Sequence, residues 1–246
     1  MATHFARGTF NADNVISPRL NDECRNEARE LPEHRRHRYL ASRSLLAELV
    51  FMLYGFKELP SLSRNPQGRP HFSDETLADF SLSYAGNMVG VALATDGRCG
   101  LGMELRRAAR NLTNPLASRN EPGLTSNETI WIANQNDPAE AKSQLLTLRR
   151  SLLKLTGHPE QELQLLPGAG RLRVADTPNV EAVSDAEDVL VWAIAVSPTT
   201  DKLKLWEFDA QQGWRGLPDT QKRTQGPDAR LMRFTSFPVE KTLILN

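Results

Sequence analysis

The side chains able to do chemistry fall into a short ordered series. A stretch from Arg35 to Leu46 carries Arg35, Arg36, Arg38 and Arg43, with Ser44 beside the last. Gly68-Arg69-Pro70 closes a turn-rich segment. Phe80-Ser-Leu-Ser83-Tyr84-Ala-Gly86 alternates and precedes a second apolar run. Gly100-Leu-Gly102-Met-Glu104-Leu-Arg106-Arg107 ends in a charge cluster. Leu146-Thr-Leu-Arg149-Arg150-Ser-Leu-Leu-Lys154-Leu-Thr-Gly157 sets Arg150 and Lys154 at helical spacing. Basic side chains pair with phosphate and carboxylate, and a carboxylate holds a cation or accepts a proton.

Each fragment alone also has a plain structural reading. The arginines can be a solvated helix face balanced by Glu27, Glu30 and Glu33. Glu104 beside Arg106 and Arg107 can be a surface ion pair, which contributes little. Arg150 and Lys154 can be the outer face of an amphipathic helix, and Ser83 and Tyr84 ordinary strand residues. Only the joint order raises the chemical reading.

Other chemistries lack their residues. The chain has no Walker loop, no GxGxxG, no GxSxG and no HExxH. His4, His34, His37, His71 and His158 are scattered without metal-ligand spacing, and surface or loop roles are expected for each. Cys24 and Cys99 make neither a disulfide framework nor a zinc motif. Thirty basic residues balance 30 acidic ones, so a non-specific nucleic-acid coat is not expected. Met1-Ala-Thr-His-Phe-Ala-Arg lacks the apolar core of a secretory signal, and no apolar run is long enough to span a bilayer. These features predict a cytoplasmic protein with neither membrane nor nucleic-acid partner.

The elements that must position these residues are partly legible. Pro32 and Gly55 bracket a helix over Glu33 to Tyr54, with Leu46, Leu49, Val50 and Leu53 as its apolar stripe. A second helix is predicted from Pro138 to Gly157, with Leu145, Leu148, Leu152 and Leu155 on one side and Thr147, Arg150 and Lys154 on the other. Phe80 to Tyr84 and Met88 to Ala94 read as a hairpin around Gly86-Asn87, and Gly100 to Leu105 as a short strand. Val189 to Val196 and Leu203 to Phe208 read as a further hairpin, with Trp192 and Trp206 in a core. Asn111 to Asn136 reads as a long loop, and the chain beyond Asp209 as a polar, meandering extension.

The 246 residues suffice for one large domain or two small ones with a real core. The halves look alike. Arg43-Ser-Leu-Leu46 and Arg150-Ser-Leu-Leu153 both sit in a long helix. The interval from Gly55 to Gly68-Arg69 recurs from Gly157 to Gly170-Arg171. The expected organisation is an α/β (α+β) fold with an N-terminal lobe over 1–99, a C-terminal lobe over 100–208 and an extension over 209–246.

In order and spacing, the fragments from Arg35 to Gly157 resemble the 4′-phosphopantetheinyl transferases. The closest type is the larger, two-lobed one that activates peptide synthetases and acyl carrier proteins. The resemblance implies two similar α/β lobes arranged as a pseudodimer within one chain, and a monomer. It implies transfer of phosphopantetheine from coenzyme A to a serine of an acyl or peptidyl carrier protein, with adenosine 3′,5′-bisphosphate leaving. It also implies magnesium clamped to the diphosphate by carboxylates, because attack at phosphorus builds negative charge on anionic oxygens. Carried over, the motifs assign Arg43, Ser44, Arg69, Ser83 and Tyr84 to the nucleotide phosphates. Glu104 is assigned to the metal, and Lys154 to the diphosphate as a catalytic group beside Glu104.

The departures concentrate at the metal. The family's Gly-x-Asp-x-Glu appears as Gly100-Leu-Gly102-Met-Glu104, so its aspartate is Gly102. Its Trp-x-x-Lys-Glu-x-x-x-Lys appears as Leu146-Thr-Leu-Arg149-Arg150-Ser-Leu-Leu-Lys154, so its glutamate is Arg150. Arg150 about 4 Å from a divalent ion, at an effective dielectric of about 20, would be repelled by roughly 8 kcal/mol. Two rescues stay open. Arg150 and Lys154 can bind the diphosphate directly, or magnesium can bind weakly through Glu104, water and the diphosphate itself. Weak or redirected transfer is therefore expected. The rival expectation is a module that binds coenzyme A or the carrier protein without transfer.

Overall fold

A computed structural model describes residues 2–10, 16–106, 124–157, 163–218, 220 and 230–236. Along the chain run β1 (Ala2–Thr9), α1 (Asp22–Glu30), α2 (Glu33–Tyr54), β2 (Leu62–Arg64), β3 (Pro70–Phe72), β4 (Asp79–Ala85), β5 (Met88–Ala94) and β6 (Arg98–Leu105). Then follow α3 (Ser126–Ala133), α4 (Pro138–Thr156), β7 (Leu163–Leu166), β8 (Arg171–Val174), β9 (Glu181–Ala186), β10 (Leu190–Ser197), β11 (Lys202–Asp209), β12 (Gly213–Gly216) and β13 (Met232–Ser236). The fold is mixed α and β.

The two long helices obey their punctuation. α2 starts after Pro32 and ends at Gly55, whose left-handed φ of 75° lets its N–H reach Phe51 O. α4 starts where the Asp137 side chain accepts the Glu140 N–H, and Gly157 at φ 70° closes it on Leu153 O. A left-handed glycine satisfies a helix-end carbonyl without a Cβ clash.

Two sheets stack between these helices. One has the order β12-β11-β1-β5-β4, the other β6-β10-β9-β13-β8-β7. Strand alternation assigns the layers. Ala6, Val89 and Val91 meet α2 through Leu45, Leu46, Leu49 and Val50. Phe5, Ala92 and Ala94 turn the other way and meet Leu101, Trp192 and Ile194 of the second sheet. Ala193 and Ala195 face outward onto Leu145, Leu148, Leu152 and Leu155 of α4. Phe5 and Trp192 mark the sheet-to-sheet contact, with ring centroids 5.1 Å apart. The central strands β1-β5-β4 and β6-β10-β9 share one order, and in each set a long helix follows the first strand.

α4 sits unusually close to β6. A Cβ built on Gly100 would lie 2.0 Å from Ser151 O, and one on Gly102 would lie 2.4 Å from Thr147 O. Thr147 and Ser151 are fully buried, so this side of the helix is an interface and not the outer face that the sequence predicts.

Four further expectations are corrected. β11 does not pair with β10. Both edges of β10 are taken by β6 and β9, so the chain crosses to the other sheet and adds β11 to β1 in parallel, from Ala2 opposite Lys202 to Gly8 opposite Phe208. The polar stretch Asn111 to Asn136 contains α3, nucleated by a capping box between Thr125 and Glu128; positions 111–123 lie outside the described residues. The extension beyond Asp209 supplies β12, on β11, and β13, inserted between β9 and β8. His4 is buried in β1, where its Nδ1 accepts the Trp206 Nε1–H at 3.0 Å.

Candidate functional site

Among the described residues β4 and β6 each end a sheet, so each carries backbone groups without a strand partner there on one side. They lie side by side, and side chains replace the missing ladder. Asp79 Oδ2 accepts the Cys99 N–H at 2.8 Å, and Ser81 Oγ accepts the Leu101 N–H at 3.0 Å. The Arg69 guanidinium lies 2.7 Å from Asp79 Oδ2 and 2.8 Å from the carbonyl oxygens of Phe80 and Cys99. One step further along, Lys154 Nζ donates to Leu82 O and Leu101 O, each at 2.8 Å. Two cations from outside the sheets thus satisfy carbonyls on both edge strands, as buried backbone groups require.

The seam opens into a cavity of about 500 Å³ lined by Gly68, Arg69, Ser81, Arg98, Lys154 and Gly157 among others. Burial lowers the Lys154 pKa to about 8, and the charges of Arg150 and Arg69 push it the same way. An anion entering here meets a concentrated positive field at low dielectric. Two of the three Lys154 donors go to the strand carbonyls, which leaves one N–H.

Glu104 and Arg150 form a second feature. Arg150 stands one helical turn before Lys154, and its Nη1 lies 2.8 Å from Glu104 Oε2. The arginine side chain is 40% exposed and the glutamate 22%, so the pair is reachable from solvent.

Tyr84 and Arg43 form a third. Tyr84 Oη lies 2.9 Å from Ser42 Oγ and 3.3 Å from Arg43 Nη1. The Arg43 guanidinium stacks 4.0 Å over the Tyr39 ring. Burial and the acceptor Glu27 raise the Tyr39 pKa, so its hydroxyl stays a donor, 2.6 Å from Glu27 Oε2.

The predicted residues therefore divide. Arg69 and Lys154 line the cavity, and Arg150 with Glu104 stands one turn away. Arg43 and Tyr84 meet each other inside the α2 layer, and Arg43 is only 5% exposed. Ser83 is buried on the face of β4 that carries Ser81 and Ala85. Ser44 goes elsewhere: its Oγ accepts the Ser17 N–H, and it lines a separate cavity of about 270 Å³ with His37 and Phe208. The sequence reading missed Arg98, a cation of the cavity wall, and Asp79, which anchors Arg69. Both sit at strand starts, where no local pattern marks an edge.

A divalent ion held by three carboxylates does not fit these residues. Position 102 lies against the backbone of α4, and Glu104 is engaged by a guanidinium. Among the described residues, no group of three or more His, Cys, Asp or Glu side chains can hold a metal ion. No helix among them is long and apolar enough to cross a membrane.

No family model matches the chain. Full-length relatives do. The "Uncharacterized protein YieE" of Escherichia coli strain K12 is 55% identical over 250 aligned residues, covering 100% of both chains. The chain belongs to the YieE family. YieE of Escherichia coli O6:H1 strain CFT073 matches at the same 55% over the same span. A partial similarity reaches further. The 4′-phosphopantetheinyl transferase AcpT of Escherichia coli O157:H7 is 34% identical over 77 residues, which is 31% of this YieE-family chain and 36% of AcpT.

Proposed function

We propose that the protein binds coenzyme A along the β4–β6 seam and transfers its 4′-phosphopantetheine group to a serine of an acyl or peptidyl carrier protein. The observation that carries this reading is the cavity of about 500 Å³ in which Gly68-Arg69, Arg98 and Lys154 converge. Coenzyme A offers a diphosphate and a 3′-phosphate, and such anions call for forked arginines and a lysine point charge. The partial similarity to a 4′-phosphopantetheinyl transferase supports the choice of substrate. The common strand order of β1-β5-β4 and β6-β10-β9 supports a duplicated, two-lobed monomer of the pseudodimer type, with the cleft between its halves.

In the reaction, the serine Oγ bonds to the phosphorus that bears the pantetheine. The bond from that phosphorus to the bridging oxygen breaks, and adenosine 3′,5′-bisphosphate leaves with the electron pair. The serine proton goes to a carboxylate, for which Glu104 is the candidate. Lys154 and Arg150 stabilise the charge that develops on the phosphate oxygens.

The test is incubation with coenzyme A and an apo carrier protein, followed by intact-mass measurement of the carrier. A gain equal to one phosphopantetheinyl group supports transfer. A specific observation favours a second reading. The Glu104–Arg150 pair engages the carboxylate that the chemistry needs. Coenzyme A binding with no mass gain on any carrier tested would select that reading, a binding module.

A further inference from the structure

The departures at positions 102 and 150 belong to one arrangement. Gly102 is not a carboxylate site left empty. The Thr147 carbonyl stands 2.4 Å from where its Cβ would be, and at Gly100 the Ser151 carbonyl stands 2.0 Å away. α4 has settled onto β6 through two glycines, and the contact is backbone to backbone, so side-chain rotation cannot relieve it. The same settling carries Arg150 to Glu104 and Lys154 to the carbonyls of Leu82 and Leu101.

We propose that this protein neutralises the diphosphate of its ligand with Arg150 and Lys154 in place of a divalent ion, and that the ligand takes Arg150 from Glu104. The proposal rests on the coenzyme A reading above. The two cations lie four residues apart on one helix, so their side chains share a face. Together they match the two negative charges of a diphosphate. Arg150 spends one donor on Glu104 and keeps four for phosphate oxygens. Arg150 is exposed enough to turn, and Glu104 is not fully buried, so parting them strands no enclosed charge. The displacement uncovers a carboxylate only when the diphosphate is present. An uncovered Glu104 can take the serine proton as the oxygen–phosphorus bond forms and the bisphosphate leaves. Lys154, held by two carbonyls, is the fixed half of the clamp. Its lowered pKa means that an approaching phosphate also draws it toward the protonated state.

The experiment is calorimetric titration of the full chain with coenzyme A, in magnesium and in chelator, for wild type and Arg150→Gln. Circular dichroism checks that the variant folds, which the exposure of Arg150 favours. The proposal expects wild-type affinity to agree within about twofold between the two buffers, and Arg150→Gln to weaken it by about tenfold in both. Glu104→Gln, which frees Arg150, should bind no more weakly than wild type. Wild-type binding that chelator abolishes would overturn the metal-free clamp and leave the coenzyme A reading intact. Unchanged affinity in Arg150→Gln in chelator would overturn it equally. Absence of binding in both buffers would overturn the clamp together with the coenzyme A reading.

Discussion

The Thr147 carbonyl oxygen lies 2.4 Å from the point a Cβ on Gly102 would occupy. Helix α4 therefore rides on strand β6 at backbone distance. Any side chain at position 102 must push the helix away, against the leucines that seat it on the sheet. Gly102→Ala should cost about 3 kcal/mol, measured as a shift of the urea midpoint at unchanged slope. Gly102→Asp should cost more, because it adds a buried charge. Joining it with Arg150→Glu should therefore give a poorly folded protein and no metal-dependent enzyme. A midpoint within error of wild type for Gly102→Ala would show that α4 lifts from β6 at little cost.

Lys154 should make stability rise with pH above neutrality. Its proton is held to about 10.5 in the unfolded chain but only to about 8 in the native one. The unfolded state thus binds more protons between those values, and raising the pH favours the native state. The gain should approach ~2 kcal/mol between pH 8 and pH 10.5, allowing for partial solvent contact. Urea titrations of wild type and Lys154→Met across this window isolate the contribution of Lys154. Parallel profiles would show that Lys154 does not contribute to the pH dependence.

His4 sets the acid limit of the β1–β11 pairing. Burial, reinforced by Lys204, lowers its pKa from 6.5 to about 4. The neutral ring accepts from Trp206, and a protonated one would present a donor to a donor. Between pH 6.5 and pH 4 the unfolded state holds the extra proton, so acidification should remove roughly 2 kcal/mol, allowing for partial solvent contact. His4→Gln keeps an acceptor for Trp206 but does not titrate. Its urea midpoint should fall less than that of wild type between pH 7 and pH 4.5.

The Glu104–Arg150 pair should matter little to stability. It is partly exposed, so a double-mutant cycle with Glu104→Gln and Arg150→Gln should give a coupling of about 0.5–1 kcal/mol that shrinks in high salt. A coupling of several kcal/mol would mean a desolvated pair unable to open for a ligand, and would contradict the exchange of Arg150 between Glu104 and phosphate.

Much of the local structure was legible in the residues. Pro32 with Gly55 and Pro138 with Gly157 delimit α2 and α4 because helix ends need local devices, and Gly86-Asn87 sets the β4–β5 hairpin for the same reason. The capping residues Thr125 and Glu128 were equally local, but the polar stretch around them hid α3. β1 was missed because polar residues occupy both of its buried faces, Thr3 and Arg7 on one and His4 on the other, so neither alternation nor an apolar run marks the strand.

The order of the charged fragments was written in the chain, whereas their pairing was decided only by the tertiary structure. An edge strand is an edge because of what else has already paired. β11 joins β1 because β10 has no open side, and Arg69 and Lys154 reach the seam because β4 and β6 end their sheets together. Whether Gly102 is a missing carboxylate or a helix seat depends on how near α4 comes to β6. Caps, turns and periodicity act over a few residues and can be read in sequence. Edge availability and backbone approach are properties of the whole packed chain, and close contacts between elements distant in sequence set them.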